Sequence, residues 1–240
     1  MALVSVACAF WLFLRTGPED RARQHRALAT RGLAAYLAER FPAHRALVVA
    51  NPFTQRPGLP EGIYAQEEAG IRGLQEGFDH RIILEEVVFP SLKPKAQQDP
   101  RSVEIDPTTS TPLSYLMTED AFDKLVQAHP DCDLIVSLIG LPAELGQVEA
   151  WRPASVVKFA LLFPDLRMVG SQAALREAVK REKLAAFVLP RPNAPSDQTP
   201  MGRNLKVEFE RRFLLVTPHN VDQMLEAHPR LFELVSPGGG

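Results

Sequence analysis

Cysteine is almost absent from this chain, and the two that occur, Cys8 and Cys132, stand in unlike surroundings. Cys8 falls in an apolar N-terminal run and Cys132 just ahead of a core-like strand. That excludes a small disulfide-framed domain and leaves the redox compartment open. An excess of one charge is missing too: 27 Lys and Arg face 29 Asp and Glu, a net charge of -2. The basic footprint of a nucleic-acid binder is therefore not there. Six histidines are scattered with no pair at metal-site spacing, so no metal is expected. Gly140 stands alone without a glycine-rich phosphate turn, and no dinucleotide fingerprint occurs, so no cofactor is expected. Ser137 sits mid-strand rather than in a Gly-x-Ser-x-Gly elbow. With no catalytic constellation in view, the chain reads as a binding or accessory module ahead of an enzyme.

What is present begins with an uncharged run, Ala2–Leu14 (ALVSVACAFWLFL). A spanning helix needs about 20 apolar residues, so the run is short for one. It has no basic segment before it and no small-residue cleavage site after it, against a cleaved signal. Ser5-Val6-Ala7-Cys8 sits too near the start for a lipoprotein signal. We read residues 1–18 as an uncleaved anchor in a bacterial inner membrane, with residues 2–14 in the bilayer and a periplasmic soluble domain. Arg15, Arg21, Arg23 and Arg26 pull toward the cytoplasmic side, so the side stays open. A buried helix of a soluble domain is the alternative.

Gly17-Pro18 breaks the first segment, and Glu19-Asp20 place acids at the start of the next helix. Ala22–Phe41 sets Leu28, Leu33, Tyr36, Leu37 and Phe41 on one face, and Pro42 ends it. Residues 19–42 thus read as a docking helix, 43–236 as a single α/β domain and 237–240 as a flexible tail.

Six near-continuous apolar runs predict strands: Ala46–Ala50, Arg81–Phe89, Asp133–Ile139, Val156–Phe163, Ala185–Leu189 and Arg212–Thr217. Runs of this kind suit strands buried on both faces of a parallel sheet, and Glu85-Glu86 puts the second run near an edge. Helical spacing predicts helices over Ala65–Phe78, Thr118–His129, Ser171–Leu184 and Val221–Val235, with Thr118, Ser171 and Asn220 as caps. His129-Pro130 and His228-Pro229 close two of them, a placement the helix dipole explains without catalysis. Strand alternating with helix gives a three-layer α/β sandwich of Rossmann or flavodoxin-like type, with a mostly parallel sheet of five to six strands.

In such sheets ligands bind beyond the carboxyl ends of the strands. Polar candidates there are Asn51, Thr54, Gly140, Asp165, Arg191, His219 and Asn220. For each of them, turn building or helix capping is the competing explanation. The long segment Ser91–Met117 adds Thr108 and Thr109, within a hydroxyl run that either lines a polar pocket or rigidifies a lid. A second irregular stretch, Asn193–Asn204, flanks the same edge.

Glu68–Gly77 (EAGIRGLQEG), then Arg81–Phe89, then Asp131-Cys132-Asp133-Leu134-Ile135-Val136 resemble the first lobe of type I periplasmic solute-binding proteins of ABC transporters. Gly73 and Gly77-Phe78 approximate the spacing of the helix before that family's second strand, and Asp133 opens a strand in the same manner. The resemblance implies an extracytoplasmic, one-lobed, periplasmic-binding-like module that recognises something at its strand-end edge. It carries over no ligand and no contacting residue. A single lobe encloses a small ligand only with a second wall, from a partner protein or a homo-oligomer. The reading is a membrane-anchored, non-catalytic module for a partner protein or a small solute, as an accessory subunit of a membrane complex or transport system. An enzyme with its site at the carboxyl edge is the alternative, with His219 and the Thr108–Thr111 loop at its centre.

Overall fold

A computed structural model describes residues 17–233 of the chain. The expected anchor over residues 2–14 and the tail over 237–240 lie outside the described residues. Among the described residues, no helix is long and apolar enough to cross a membrane.

Chain order is α1 (Pro18–Arg40), β1 (Arg45–Val49), α2 (Glu61–Phe78), β2 (Ile83–Val88), α3 (Pro94–Gln98), α4 (Leu113–Leu116), α5 (Ala121–Ala128) and β3 (Leu134–Ser137). It continues through β4 (Lys158–Leu162), α6 (Gln172–Lys180), β5 (Leu184–Pro190), α7 (Leu205–Arg212), β6 (Phe213–Val216) and α8 (Val221–Ala227). The strands form one sheet in the order β2-β1-β3-β4-β5-β6. All neighbours are parallel except β5 and β6, which pair antiparallel from Phe187–Val216 to Pro190–Phe213. All six expected strands are present, and β2 lies at an edge with Glu85 and Glu86 exposed.

Alternate side chains of the central strands feed two cores. Ala46, Val48, Leu134, Val136, Ala160 and Val188 pack under α1 and α2. Leu47, Val49, Ile135, Phe159, Leu161 and Phe187 pack under α5, α6 and α8. Between β3 and β4 runs no α-helix, only two 3-10 turns. Lys183 holds that crossover by donating to Ala150 O (3.1 Å), Ser155 O (2.7 Å) and Val157 O (2.8 Å). Burial and neighbouring Lys158 push its amine down to about 8.

The helix expected to dock is itself one layer of the sandwich: Leu33, Ala34 and Leu37 of α1 are fully buried over the sheet. Its contact with α2 is the most extensive between helices. Gly70, Gly73 and Gly77 make it close. A Cβ on Gly73 would lie 2.3 Å from Ala27 O, and one on Gly77 2.5 Å from Arg31 O. The glycines noted in the sequence are there because two backbones meet.

Several boundaries differ from expectation. Leu184 opens β5 instead of ending a helix, because α6 stops at Lys180 and the chain turns through Glu182 at φ 56°. The last helix stops at Ala227, where Pro229 starts a 3-10 turn after His228; a proline disfavours the helical state of the residue before it. Ser171 caps α6 by accepting from Ala174 N at 3.1 Å. Thr118 instead donates to Asp120, which takes the N-cap position of α5, and Asn220 holds the N-cap position of α8 but turns its side chain back to Thr217. Helix α7 was not expected from its polar sequence (LKVEFERR); Asn204 caps it, accepting from Val207 N at 3.2 Å. The segment 91–117 is compact, with α3, α4, a Leu92–Met117 bridge and its own small core of Leu92, Ala96 and Leu116.

Candidate functional site

Strands β1 and β3 are neighbours in the sheet, while the chain leaves β1 toward β2 on one side and β3 toward β4 on the other. Their carboxyl ends therefore splay into a crevice, the position where open α/β sheets take ligands. A cleft of about 740 Å³ lies there. Its floor is Asn51, Leu138, Ile139, Leu162 and Phe163 from the strand ends. Its walls come from the first turns of α1 and α2 and from Ser110–Leu113.

One contact point ties four elements together. The Asn51 N–H donates to Glu67 Oε1 at 2.6 Å, and the other oxygen of Glu67 accepts from Arg26 Nη2 at 2.9 Å. Arg26 also lies 3.4 Å from Leu138 O. The Arg26 and Glu67 side chains are 18% and 10% exposed, so the pair is compensated by hydrogen bonds in a largely dry place. Arg26 crosses α2 over Gly70, where a Cβ would sit 2.9 Å from Nε. That nitrogen makes no hydrogen bond among the described residues.

The segment 106–109 is held by a latch. Arg167 donates to Asp165 Oδ1 (2.9 Å) and Oδ2 (2.5 Å), to Asp106 Oδ2 (2.7 Å) and to Thr108 Oγ1 (2.8 Å). Thr109 Oγ1 donates to Asp165 Oδ2 at 2.7 Å. Burial alone would raise the Asp165 carboxyl, but Arg167 and Thr109 outweigh it and hold it below its usual range. Asp106 is held low too, chiefly by the Thr108 hydroxyl and N–H. Beyond the latch, Thr111 packs against Gly140, which has φ +88° and room for no Cβ: Thr111 Cγ2 would be 2.8 Å away. Ser137 Oγ closes that turn on Gly140 O at 2.6 Å. Phe163 leaves β4 at φ +47°, rare for a bulky residue, with its ring 5.7 Å from that of Phe213.

The structure therefore gathers Asn51, Thr108, Thr109, Gly140 and Asp165 at one edge of the sheet. Asn51 lines the cleft, while the other four shape or pin its walls. Thr54 folds back on Asn51 O at 2.7 Å. Arg191, at the end of β5, is spent on Glu210 O at 2.8 Å and lines a groove beside α7. His219 and Asn220 lie at the opposite edge of the sheet, because β6 runs antiparallel and its carboxyl end points away. His219 is exposed, and Asn220 accepts from Thr217 N at 2.8 Å and donates to Leu215 O at 2.9 Å. Sequence reasoning missed Arg26, Glu67 and Arg167, which sit in no motif; the short Asp165–Arg167 spacing was the one visible hint.

Chemically, the cleft offers guanidinium donors (Arg23, Arg26), an amide (Gln66), hydroxyls (Ser110, Thr111) and carboxylates (Glu19, Glu67) among apolar walls. No histidine or cysteine lines it, and no group of three potential metal ligands occurs among the described residues.

Solved structures with a similar fold include a sugar-binding protein of a sugar ABC transporter from Bacillus halodurans (12% identity, TM-score 0.46), aligned over 82% of this chain and 64% of that one. A substrate-binding protein of a sugar ABC transport system from Bordetella parapertussis aligns over 90% and 61% (14% identity, TM-score 0.46). A galactofuranose-binding protein aligns over 86% and 63% (10% identity, TM-score 0.49). The likeness is one of fold. The neighbours are sugar- and substrate-binding proteins, the type that the sequence resemblance implied, and this chain spans about three fifths of their length. No protein-family model matches the sequence, and no curated protein matches it either.

Proposed function

We propose that this chain is a non-catalytic module that binds a small polar solute in the cleft between the ends of β1 and β3. The observation that carries the reading is the Arg26–Glu67–Asn51 chain. A cation lining the cleft is fixed by a carboxylate, and that carboxylate is fixed by a strand-end N–H. Such a preorganised donor among apolar walls orients a polar ligand at little ordering cost. Residues 2–14 would hold the module at a bacterial inner membrane with the domain on the periplasmic side. There, a partner protein or second copy would cover the open side of the cleft, as in an accessory subunit of a transport system.

Calorimetric titration with a panel of neutral polyols, amino acids and small carboxylates tests the reading. One class should bind, and Arg26→Gln should weaken it by about tenfold or more. Binding unchanged in Arg26→Gln, or no binding across the panel, would overturn it. The tether is tested separately: full-length protein should float with lipid vesicles and a chain starting at Gly17 should not.

A further inference from the structure

Strand β6 ends the sheet, and its free side borders a groove of about 700 Å³ between α1 and α7 that shares no residue with the cleft. Bonding in an antiparallel pair alternates along each strand. Arg191 N–H donates to Arg212 O at 2.8 Å where the β5–β6 pair ends, and Val188 O, opposite Leu215, is taken by Phe163 N–H at 3.0 Å on the β4 side. Leu214 and Val216 therefore bond to β5, while Phe213 and Leu215 turn their N–H and C=O to the free side. Leu214 lines the groove although its side chain lies in the opposite core, so it meets the groove with its backbone.

Two stretches of that free side are covered. The Phe213 N–H donates to Phe209 O at the end of α7. Further along, Asn220 Nδ2 donates to Leu215 O at 2.9 Å and Asn220 Oδ1 accepts from Thr217 N–H at 2.8 Å. Between them stand Phe213 C=O and Leu215 N–H, which have no partner among the described residues. An acceptor on one residue and a donor two residues on is the pair that Asn220 fills one step along the strand. The edge thus already holds one primary carboxamide, and the step before it repeats the geometry.

The surroundings narrow the ligand. Leu28, Leu205, Phe209 and Met224 give apolar walls. The lining charges balance, Arg191 and Lys206 against Glu39 and Glu210, with Arg31 matched by Glu76 at 3.2 Å, which favours a neutral molecule. A strand from a second copy would need consecutive steps, and both neighbours of the open one are covered. A carboxylate has no donor for Phe213 C=O, whereas a primary amide presents N–H and C=O side by side. The groove lies within the range of about 300–1,000 Å³ usual for small-molecule sites.

We propose that this groove is a second binding site, for a small neutral molecule carrying a primary carboxamide on an apolar body, held by Phe213 C=O and Leu215 N–H. It is independent of the cleft reading. The test is NMR of the full chain labelled with ¹⁵N-leucine and ¹⁵N-glycine, with benzamide as probe and benzoate and N,N-dimethylbenzamide as controls. Benzamide should move the Leu215 and Gly32 amides saturably, with a Kd on the order of 1 mM. Both controls should bind about tenfold more weakly, since neither has a donor for Phe213 C=O. Ala35→Trp, which sets a large ring at an exposed position of the groove, should abolish the response. Equal binding by the controls would overturn the carboxamide assignment, and a Gly32 response without Leu215 would overturn the strand edge as its anchor. A response unchanged in Ala35→Trp would overturn the groove. Leu215 shifts that follow protein concentration without any probe would assign the edge to a second copy and overturn the proposal, as would the lack of a saturable response.

Discussion

Two irregular segments border the carboxyl edge, and each is gripped by a multiply bonded arginine, but in opposite ways. Arg167 holds residues 106–109 through side chains: two carboxylates and a hydroxyl, with Thr109 completing the set. Arg212 holds residues 195–199 through backbone, donating to Pro195 O (3.2 Å), Ser196 O (3.4 Å) and Thr199 O (2.8 Å), with Glu208 as its counter-ion. The first grip depends on which residues the loop carries and on their ionisation. The second takes hold of carbonyls that any residue would present. Arg167 thus reads the side chains of its segment, and Arg212 the path of its own.

The largest expected effect breaks the second grip. Arg212→Met removes three carbonyl bonds to the loop and leaves Glu208, which is 4% exposed, only the half-exposed Arg211 as counter-ion, and should cost about 3–5 kcal/mol, read as a fall in the midpoint of urea unfolding. Arg167→Met should cost less, about 2 kcal/mol, because Asp165 keeps the Thr109 hydroxyl and a backbone N–H as partners. If Arg167→Met proves the costlier of the two, the contrast fails. Acid sharpens it. Asp165 is held below its ordinary value of 3.8, so the unfolded chain binds the proton first, and stability from this group is lost as pH falls through its native value. Hydrogen exchange at 106–111 should therefore accelerate below about pH 4 ahead of exchange at 195–199, where acid reaches the loop only through Glu208 and the carbonyl acceptors themselves do not titrate. Smaller still, Thr109→Val should cost about 1 kcal/mol, and Ser196→Ala no more than about 0.5 kcal/mol. Equal costs for these last two would give the side-chain contacts of the second loop the same weight as those of the first.

This contrast also explains what the sequence revealed and what it hid. Apolar runs marked all six strands, because strands covered on both faces carry almost nothing else. The reversal of β6 was illegible: the direction of Phe213–Val216 is set by a short α7 whose polar residues read as loop. That one reversal took His219 and Asn220 to the far edge. Thr108 and Thr109 stood out because a hydroxyl run in a long segment is unusual, and Asp165 because it follows the end of an apolar run. Arg167, Arg212 and Arg26 did not, since a lone arginine in polar sequence looks like solvated surface until folding surrounds it. Glu67 became visible only when α1 was seen lying against α2.

The seam between α1 and α2 has a consequence for inheritance. Every single-base change in a glycine codon that alters the residue enlarges it, and alanine, the smallest outcome, already sets a Cβ within 2.5 Å of neighbouring backbone at Gly73 and Gly77. Mutation therefore has no gentle first step at these positions. The same seam carries Arg26 across Gly70 to the cleft. A lineage drifting there would lose the placement of Arg26 together with its packing, so selection for folding alone would keep the geometry of the cleft intact.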